Sequence, residues 1–218
     1  MRGQVRIKLG ERLQTLLSLI EGGETLCDVG TDHGKLPVAA LLSGRAGKAI
    51  ATDISEASLA KARLLAEKEN VPLRCVVGDG LAPIRQGEAD VVSIAGMGGA
   101  EIVRILQNAS CVFPRYLLLP HRDAPLVRGY LKQRNARILR DIAVKEGKHF
   151  YFVIEATFSL PWKEQSLYYG ETGGAFAEYR RFRLEKIEKL LRLKSDASLE
   201  KEKEELTDAY SGGNSKNL

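Results

Sequence analysis

The stretch "DVGTDHGKL" at residues 28–36 sets four chemically distinctive residues two apart: Asp28, Gly30, Asp32 and Gly34. Glycines at this spacing let the backbone turn tightly, so that peptide N–H groups and a helix N-terminus can meet a ligand at close range. A turn that cradles a dinucleotide pyrophosphate needs G-x-G-x-x-G. Here the position between the two glycines holds a carboxylate, Asp32, which would repel a phosphate at contact distance. The turn suits a ligand with positive charge, or none, near that side chain.

Three further segments carry chemistry in chain order. "KAIATDI" (48–54) ends on Asp53 and Ile54, and an acid directly after a strand can accept hydrogen bonds from both hydroxyls of a ribose. "LRCVV" runs into Gly78-Asp79-Gly80, where Asp79 can accept from an adenine amino group. "IAGMGG" (94–99) is too rich in glycine to be packing alone. Its Ala95 and Gly96 are expected to face the ligand, together with Thr31 and His33 of the first turn, and Met97 and Gly98 to face a second substrate. An adenosine held at successive strand ends fits both NAD and S-adenosylmethionine. The latter is cationic at sulfur and has no phosphate, so the acid-lined turn favours it.

Such a site needs strand ends in a row. Leu9, Leu13, Leu16, Leu17 and Ile20 predict an amphipathic helix over 8–20, stopped by Gly22 and Gly23. Strands and helices then alternate through five strands, the pattern of a doubly wound parallel sheet. Ser55 and Glu56 are a good start for the helix after the second strand. Helices are expected over 99–108 and 124–135. Residues 136–158 read as two strands joined at Glu146–Gly147, a hairpin that adds an antiparallel strand. Ligands bind such sheets beyond the carboxyl ends of the strands.

From about residue 175 the pattern changes. Leu184, Ile187 and Leu191 form one stripe, and Leu199 and Leu206 stand a heptad apart, which predicts an antiparallel helical hairpin. "SGGNSKNL" has nothing to bury and is expected to be disordered. The expected organisation is a core domain over 1–160, a linker over 161–174, the hairpin over 175–210 and a tail over 211–218.

The chain has 218 residues, 44% hydrophobic, enough for one well-filled core. No segment approaches the roughly 20 consecutive apolar residues of a membrane span. The charged, amphipathic start has no signal core, so a cytoplasmic protein is expected. Cys27, Cys75 and Cys111 read as buried thiols, and no Cys/His spacing suggests a metal site. The net charge of +5 is concentrated at the ends: Arg2, Arg6, Lys8 and Arg12 early, Arg180, Arg181, Arg183, Lys186, Lys189, Arg192 and Lys194 late. These segments are either a footprint for nucleic acid or solvated helix faces.

"LCDVGTDHGKLP", "GDGL" and "ADVVSIAGMGGAEI" together resemble the bacterial TrmK family of tRNA (adenine-N1)-methyltransferases that act at position 22, in the D-loop region. The likeness covers about residues 8–158. It implies a class I, Rossmann-like, seven-stranded α/β methyltransferase sheet with a C-terminal coiled-coil hairpin, S-adenosylmethionine as cofactor and tRNA as substrate; a monomer is expected, though the residues themselves do not fix the oligomeric state. By position, Asp28, Gly30, Asp53 and Asp79 match cofactor-contacting residues of the family, and Asp32 matches the acid that faces the reaction centre. Two positions depart: Asp53 stands where glutamate is common, and Pro120-His121 where Pro-Asn is usual. His121 and the arginines Arg180, Arg181 and Arg183 are the expected substrate contacts beyond the glycine-rich loop.

Several residues keep a second reading. Asp32 either serves catalysis or caps the helix after Gly34. His33 is a base contact or a local hydrogen-bonding residue, and Met97 packs on a flipped adenine or fills a gap. Tyr168 and Tyr169 stack on RNA or pack at a hinge. Two other functions stay open from the residues: methylation of a small molecule or a protein, and RNA binding without catalysis.

Overall fold

A computed structural model describes residues 7–209. Arg2, Arg6 and the tail expected to be disordered lie outside the described residues. The chain runs α1 (Glu11–Ser18), β1 (Glu24–Val29), α2 (Lys35–Leu42), β2 (Ala46–Asp53), α3 (Glu56–Lys68), β3 (Leu73–Val77), β4 (Val91–Ala95), α4 (Gly99–Asn108), β5 (Arg115–Leu119), α5 (Ala124–Gln133), β6 (Arg137–Glu146), β7 (His149–Thr157), α6 (Phe176–Leu191) and α7 (Ala197–Asp208). The seven strands form one sheet in the order β3-β2-β1-β4-β5-β7-β6. The first five pair in parallel, and β7 is antiparallel to both its neighbours.

Alternation along each strand feeds two cores. Leu26 of β1, Val91 of β4, and Leu117 and Leu119 of β5 pack with Leu16 and Ile20, and with Leu36 and Ala40 of α2. Cys27, Val92, Tyr116 and Leu118 point the other way, toward Ile102, Ile105, Val127 and Leu131 of α4 and α5. Both faces are covered, which is why the central strands are almost wholly apolar. At α3, Ser55 caps as expected, its Oγ accepting from Ser58 N at 3.3 Å.

Three differences from the sequence reading have plain causes. α5 stops at Gln133 because Asn135 takes a left-handed backbone, φ 53°. Cys75 and Cys111 are only partly buried; Cys75 lies on β3, an edge strand with a neighbour on one side only. The hairpin is not detached from the sheet: Phe176, Ile187 and Leu206 are buried in the same core as Phe152 and Ile154 of β7. Tyr179 completes that contact edge-on to Phe152, with ring centroids 4.8 Å apart. Among the described residues no helix is long and apolar enough to cross a membrane.

Candidate active site

The order β2-β1-β4 reverses the chain's direction of growth between β1 and β4, and a crevice opens there beyond the strand ends. Its volume is about 620 Å³, within the range of small-molecule sites. Asp28, Gly30, Thr31, Asp32, His33, Asp53, Ile54, Gly78, Asp79, Gly80, Ala95, Gly96, Met97 and His121 all line it. Gly98 does not; it is the N-cap residue of α4. Arg180, Arg181 and Arg183 lie elsewhere, on α6.

The turn after β1 is held from beneath. Gly30 N and Thr31 N both donate to Thr52 O, at 2.8 and 3.2 Å, and Gly30 needs its glycine freedom at φ 72°. Asp28 is buried, and each of its oxygens accepts from a hydroxyl: Oδ2 from Thr31 and Oδ1 from Ser93 at 2.6 Å. It ties the turn to β4. Burial pushes its carboxyl up to about 6, against the two hydroxyl bonds that favour the charge.

This raised value has a measurable sign. The stabilisation that Asp28 contributes is complete below its unfolded pKa near 3.8 and is lost as pH rises through about 6. Asp28→Asn can keep both hydroxyl partners and cannot ionise. Relative to wild type it should gain about 3 kcal/mol between pH 4 and 7, at about 1.4 kcal/mol per pKa unit. Urea midpoints across that range check it, and parallel curves for the two proteins would refute it.

Asp32 projects from the same turn with 69% of its side chain exposed. Its Oδ2 lies 2.6 Å from His33 Nδ1, and Lys61 Nζ of α3 lies 3.6 Å from Oδ1. The N-cap of α2 is Gly34, at φ 65°, with no side-chain cap bond. Asp32 is therefore not the cap. His33 stands beside Asp32 and lines the crevice with it.

Across the crevice, Asp53 Oδ1 accepts from Ser55 N at 2.7 Å, and Oδ2 has no hydrogen-bond donor among the described residues. Asp79 is engaged. Arg104 of α4 grips it through both guanidinium ends at 2.9 and 2.8 Å, and also bonds Glu101. That ion pair holds the Asp79 carboxyl below its usual range. A carboxylate has lone pairs to spare for a further donor, but any adenine would meet Arg104 there as well. Met97 leans over the turn: a Cβ on Gly30 would come 2.1 Å from its methyl carbon. The second glycine of "MGG" is needed because Gly99 approaches the Asp123 carbonyl, 2.5 Å from where its Cβ would be.

The hairpin arginines are largely occupied. Arg183 forms a two-pronged pair with Glu202 of α7 at 2.5 and 2.6 Å, and Arg180 bonds the carbonyls of Leu206 and Thr207 at the end of that helix. They staple α6 to α7, because burial of the hairpin's apolar seam brings Glu202 and the α7 carbonyls within reach. Arg181 is exposed.

Sequence reasoning missed Arg12, Lys35, Glu101 and Arg104 as lining residues. Glu101 and Arg104 could have been noticed as an i,i+3 pair next to the glycine loop. Arg12 gives no such signal, because only packing brings α1 to the crevice.

A sheet of this order with its closing antiparallel strand, and a switch-point crevice rimmed by acids, defines the Rossmann-like methyltransferase fold. Residues 9–154 match the family described as "Methyltransferase domain", and the chain belongs to that family. It is similar to the tRNA (adenine(22)-N(1))-methyltransferase of Bacillus subtilis strain 168, 35% identical over 155 residues, which are 69% of this chain and 65% of that one. The match thus spans just under two thirds of that relative's length. Among solved structures, that of the B. subtilis M1A22 tRNA methyltransferase TrmK aligns at 26% identity and TM-score 0.74, covering 94% of this chain and 97% of that one. The fold is also shared with M. capricolum TrmK, solved with S-adenosyl-homocysteine: TM-score 0.82 at 20% identity, covering 93% and 98% of the two chains. The TrmK resemblance carried by the motifs is borne out.

Proposed function

We propose that the protein methylates N1 of the adenine at position 22 of tRNA, with S-adenosylmethionine as the methyl donor. The observation that carries this reading is the exposed carboxylate of Asp32 on the glycine turn of the crevice. It disfavours a phosphate and suits a sulfonium and a base that becomes cationic. The residues fit the cofactor. Asp53 Oδ2 is open to ribose hydroxyls, and Ile54, 74% exposed at the rim, offers an apolar surface that an adenine would cover. When bound, the sulfonium supplies an electrophilic methyl group.

The protein's own residues would then orient and stabilise. Adenine N1 has an in-plane lone pair and is neutral at pH 7, so no base need remove a proton first. Charge develops on the ring as the bond forms, and Asp32 stabilises it. Asp53 and Asp79 hold ribose and adenine, the backbone of the 28–34 and 94–99 loops fixes the donor, and Met97, Gly98 and His121 face the acceptor. Much of the rate would come from that alignment. With Arg180 and Arg183 bound inside the hairpin, Arg181 and the exposed lysines of α6 are left as its phosphate contacts.

Mass spectrometry of nucleosides from tRNA incubated with enzyme and cofactor tests the reading. It predicts 1-methyladenosine in tRNA and none from free adenosine; no product in tRNA overturns it. Asp53→Ala should weaken S-adenosylhomocysteine binding at least about tenfold, since hydrogen bonds to a charged group contribute about 1.5–3 kcal/mol each. Unchanged affinity by calorimetric titration would remove Asp53 from the site.

A further inference from the structure

On the outer wall of the crevice lies a cluster in which the reading above gives a role to His121 alone. Arg12 reaches from α1 to the loop after β5, where its NH1 lies 2.6 Å from His121 Nε2. Its Nε pairs with Glu146 Oε1 at 3.0 Å, and its backbone N donates to Glu146 Oε2 at 3.3 Å. The guanidinium lies over the Tyr151 ring of β7, 4.8 Å from the centroid. His121 is seated too: its N donates to Met97 O at 2.8 Å and its ring packs on Tyr151, centroids 5.8 Å apart. Arg12 and His121 both line the crevice.

A guanidinium has donors only, so His121 Nε2 must supply the lone pair. The proton of the neutral ring then sits on Nδ1, which has no hydrogen-bond partner among the described residues. Partial burial, and then the charge of Arg12, hold the imidazole below its usual pKa. Glu146 of β6 pulls the other way but is paired with Arg12; Arg122 and Asp123 follow His121 in its own loop and sit against each other at 3.8 Å. From β7 the ring meets Tyr151, with His149 behind it.

We infer that Arg12 is a positioning residue: it holds His121 in the Nδ1–H form, so that the ring offers the methyl-accepting nucleotide a neutral hydrogen-bond donor. The identity of the acceptor rests on the function proposed above. Methylation at a ring nitrogen leaves the base cationic. An imidazolium beside it would oppose that charge, whereas a neutral N–H orients the nucleotide without opposing it. Arg12 fixes the ring at little electrostatic cost, because Glu146 balances its charge.

Nitrogen-15 NMR of the histidine rings in the full chain reads the tautomer directly, and with three histidines His121 can be assigned by substitution. Wild type should show a pyridine-type Nε2 and a pyrrole-type Nδ1 at pH 7. In Arg12→Met the two tautomers should mix and the ring should protonate at higher pH. Single-turnover methylation of tRNA at saturating cofactor should fall about tenfold or more, as misplaced groups do, with its acid limb moved to higher pH. Arg12→Lys, which keeps a charged donor, should recover most of both, and S-adenosylhomocysteine affinity should hold throughout. A proton on Nε2 in wild type, or an Arg12→Met protein with wild-type tautomer or rate, overturns the inference. If that variant misfolds with Glu146 unpaired, Arg12→Met with Glu146→Gln gives the same readings. A wild type that shows the tautomer yet methylates no tRNA overturns the proposed function and its acceptor, but upholds the lock.

Discussion

Asp32→Asn lowers the single-turnover rate of tRNA methylation by about 10²-fold or more, the scale on which loss of one transition-state stabiliser is felt. Cofactor affinity and thermal stability stay near wild type. The structure sharpens this expectation by removing the competing role. α2 is capped at Gly34 without a side chain, so an asparagine at 32 disturbs no cap. The carboxylate is mostly exposed, so its loss leaves no buried polar group behind. What changes is charge: Asn keeps the shape but cannot balance a cationic adenine. A near-wild-type rate would remove Asp32 from the chemistry and leave alignment as the main source of catalysis.

The second large effect concerns stability. Asp141→Ala should cost about 3–5 kcal/mol, the usual penalty for stranding one partner of a buried ion pair. Arg128 of α5 is fully buried, and its Nε and NH2 meet Asp141 of β6 at 2.7 and 3.0 Å. The guanidinium lies 4.3 Å from the centroid of Phe152 and its NH1 bonds Leu167 O at 3.1 Å. From the same segment, Glu171 N donates to Asp141 O at 2.7 Å, and Gly170 packs so closely on Asp141 that a Cβ would come within 2.3 Å. One pair thus fastens the stretch before α6 to the sheet. Urea unfolding should show the loss, and limited proteolysis should cut first between β7 and α6. Arg128→Met combined with Asp141→Leu should be milder, since no charge is then left alone. A single variant within about 1 kcal/mol of wild type, the range of an exposed pair, would show that this pair does not hold the segment.

Neither Arg128 nor Asp141 drew notice in the sequence, and the reason is general. A charge on a helix and another on a strand thirteen residues later look like two surface residues until the fold buries them together. The glycine turns were legible for the opposite reason. Gly30 and Gly34 answer to local backbone angles, φ 72° and 65°, and such needs are written into the residue type. The hairpin shows both sides. Its stripe of Leu184, Ile187 and Leu191 announces a helix, yet its burial against Phe152 depends on a strand far away in the chain. The same docking supplies Arg180 and Arg183, expected as substrate contacts, with the carbonyls of α7 and with Glu202.

By itself the sequence determined whatever depends on neighbours along the chain: the alternation of strands and helices, the four acid- and glycine-bearing strand ends, the Ser55 cap and the exclusion of a pyrophosphate by Asp32. Periodicity, capping and backbone freedom act over a few residues, so residue types and spacings suffice to state them. Only the tertiary structure decided which charges are spent and which remain available. Asp79 is met by Arg104, Asp28 by Thr31 and Ser93, Arg183 by Glu202, and His121 by Arg12 from 109 residues away. A side chain's protonation and reach are set by burial and by the partners around it, and those partners are chosen by packing across the whole sheet.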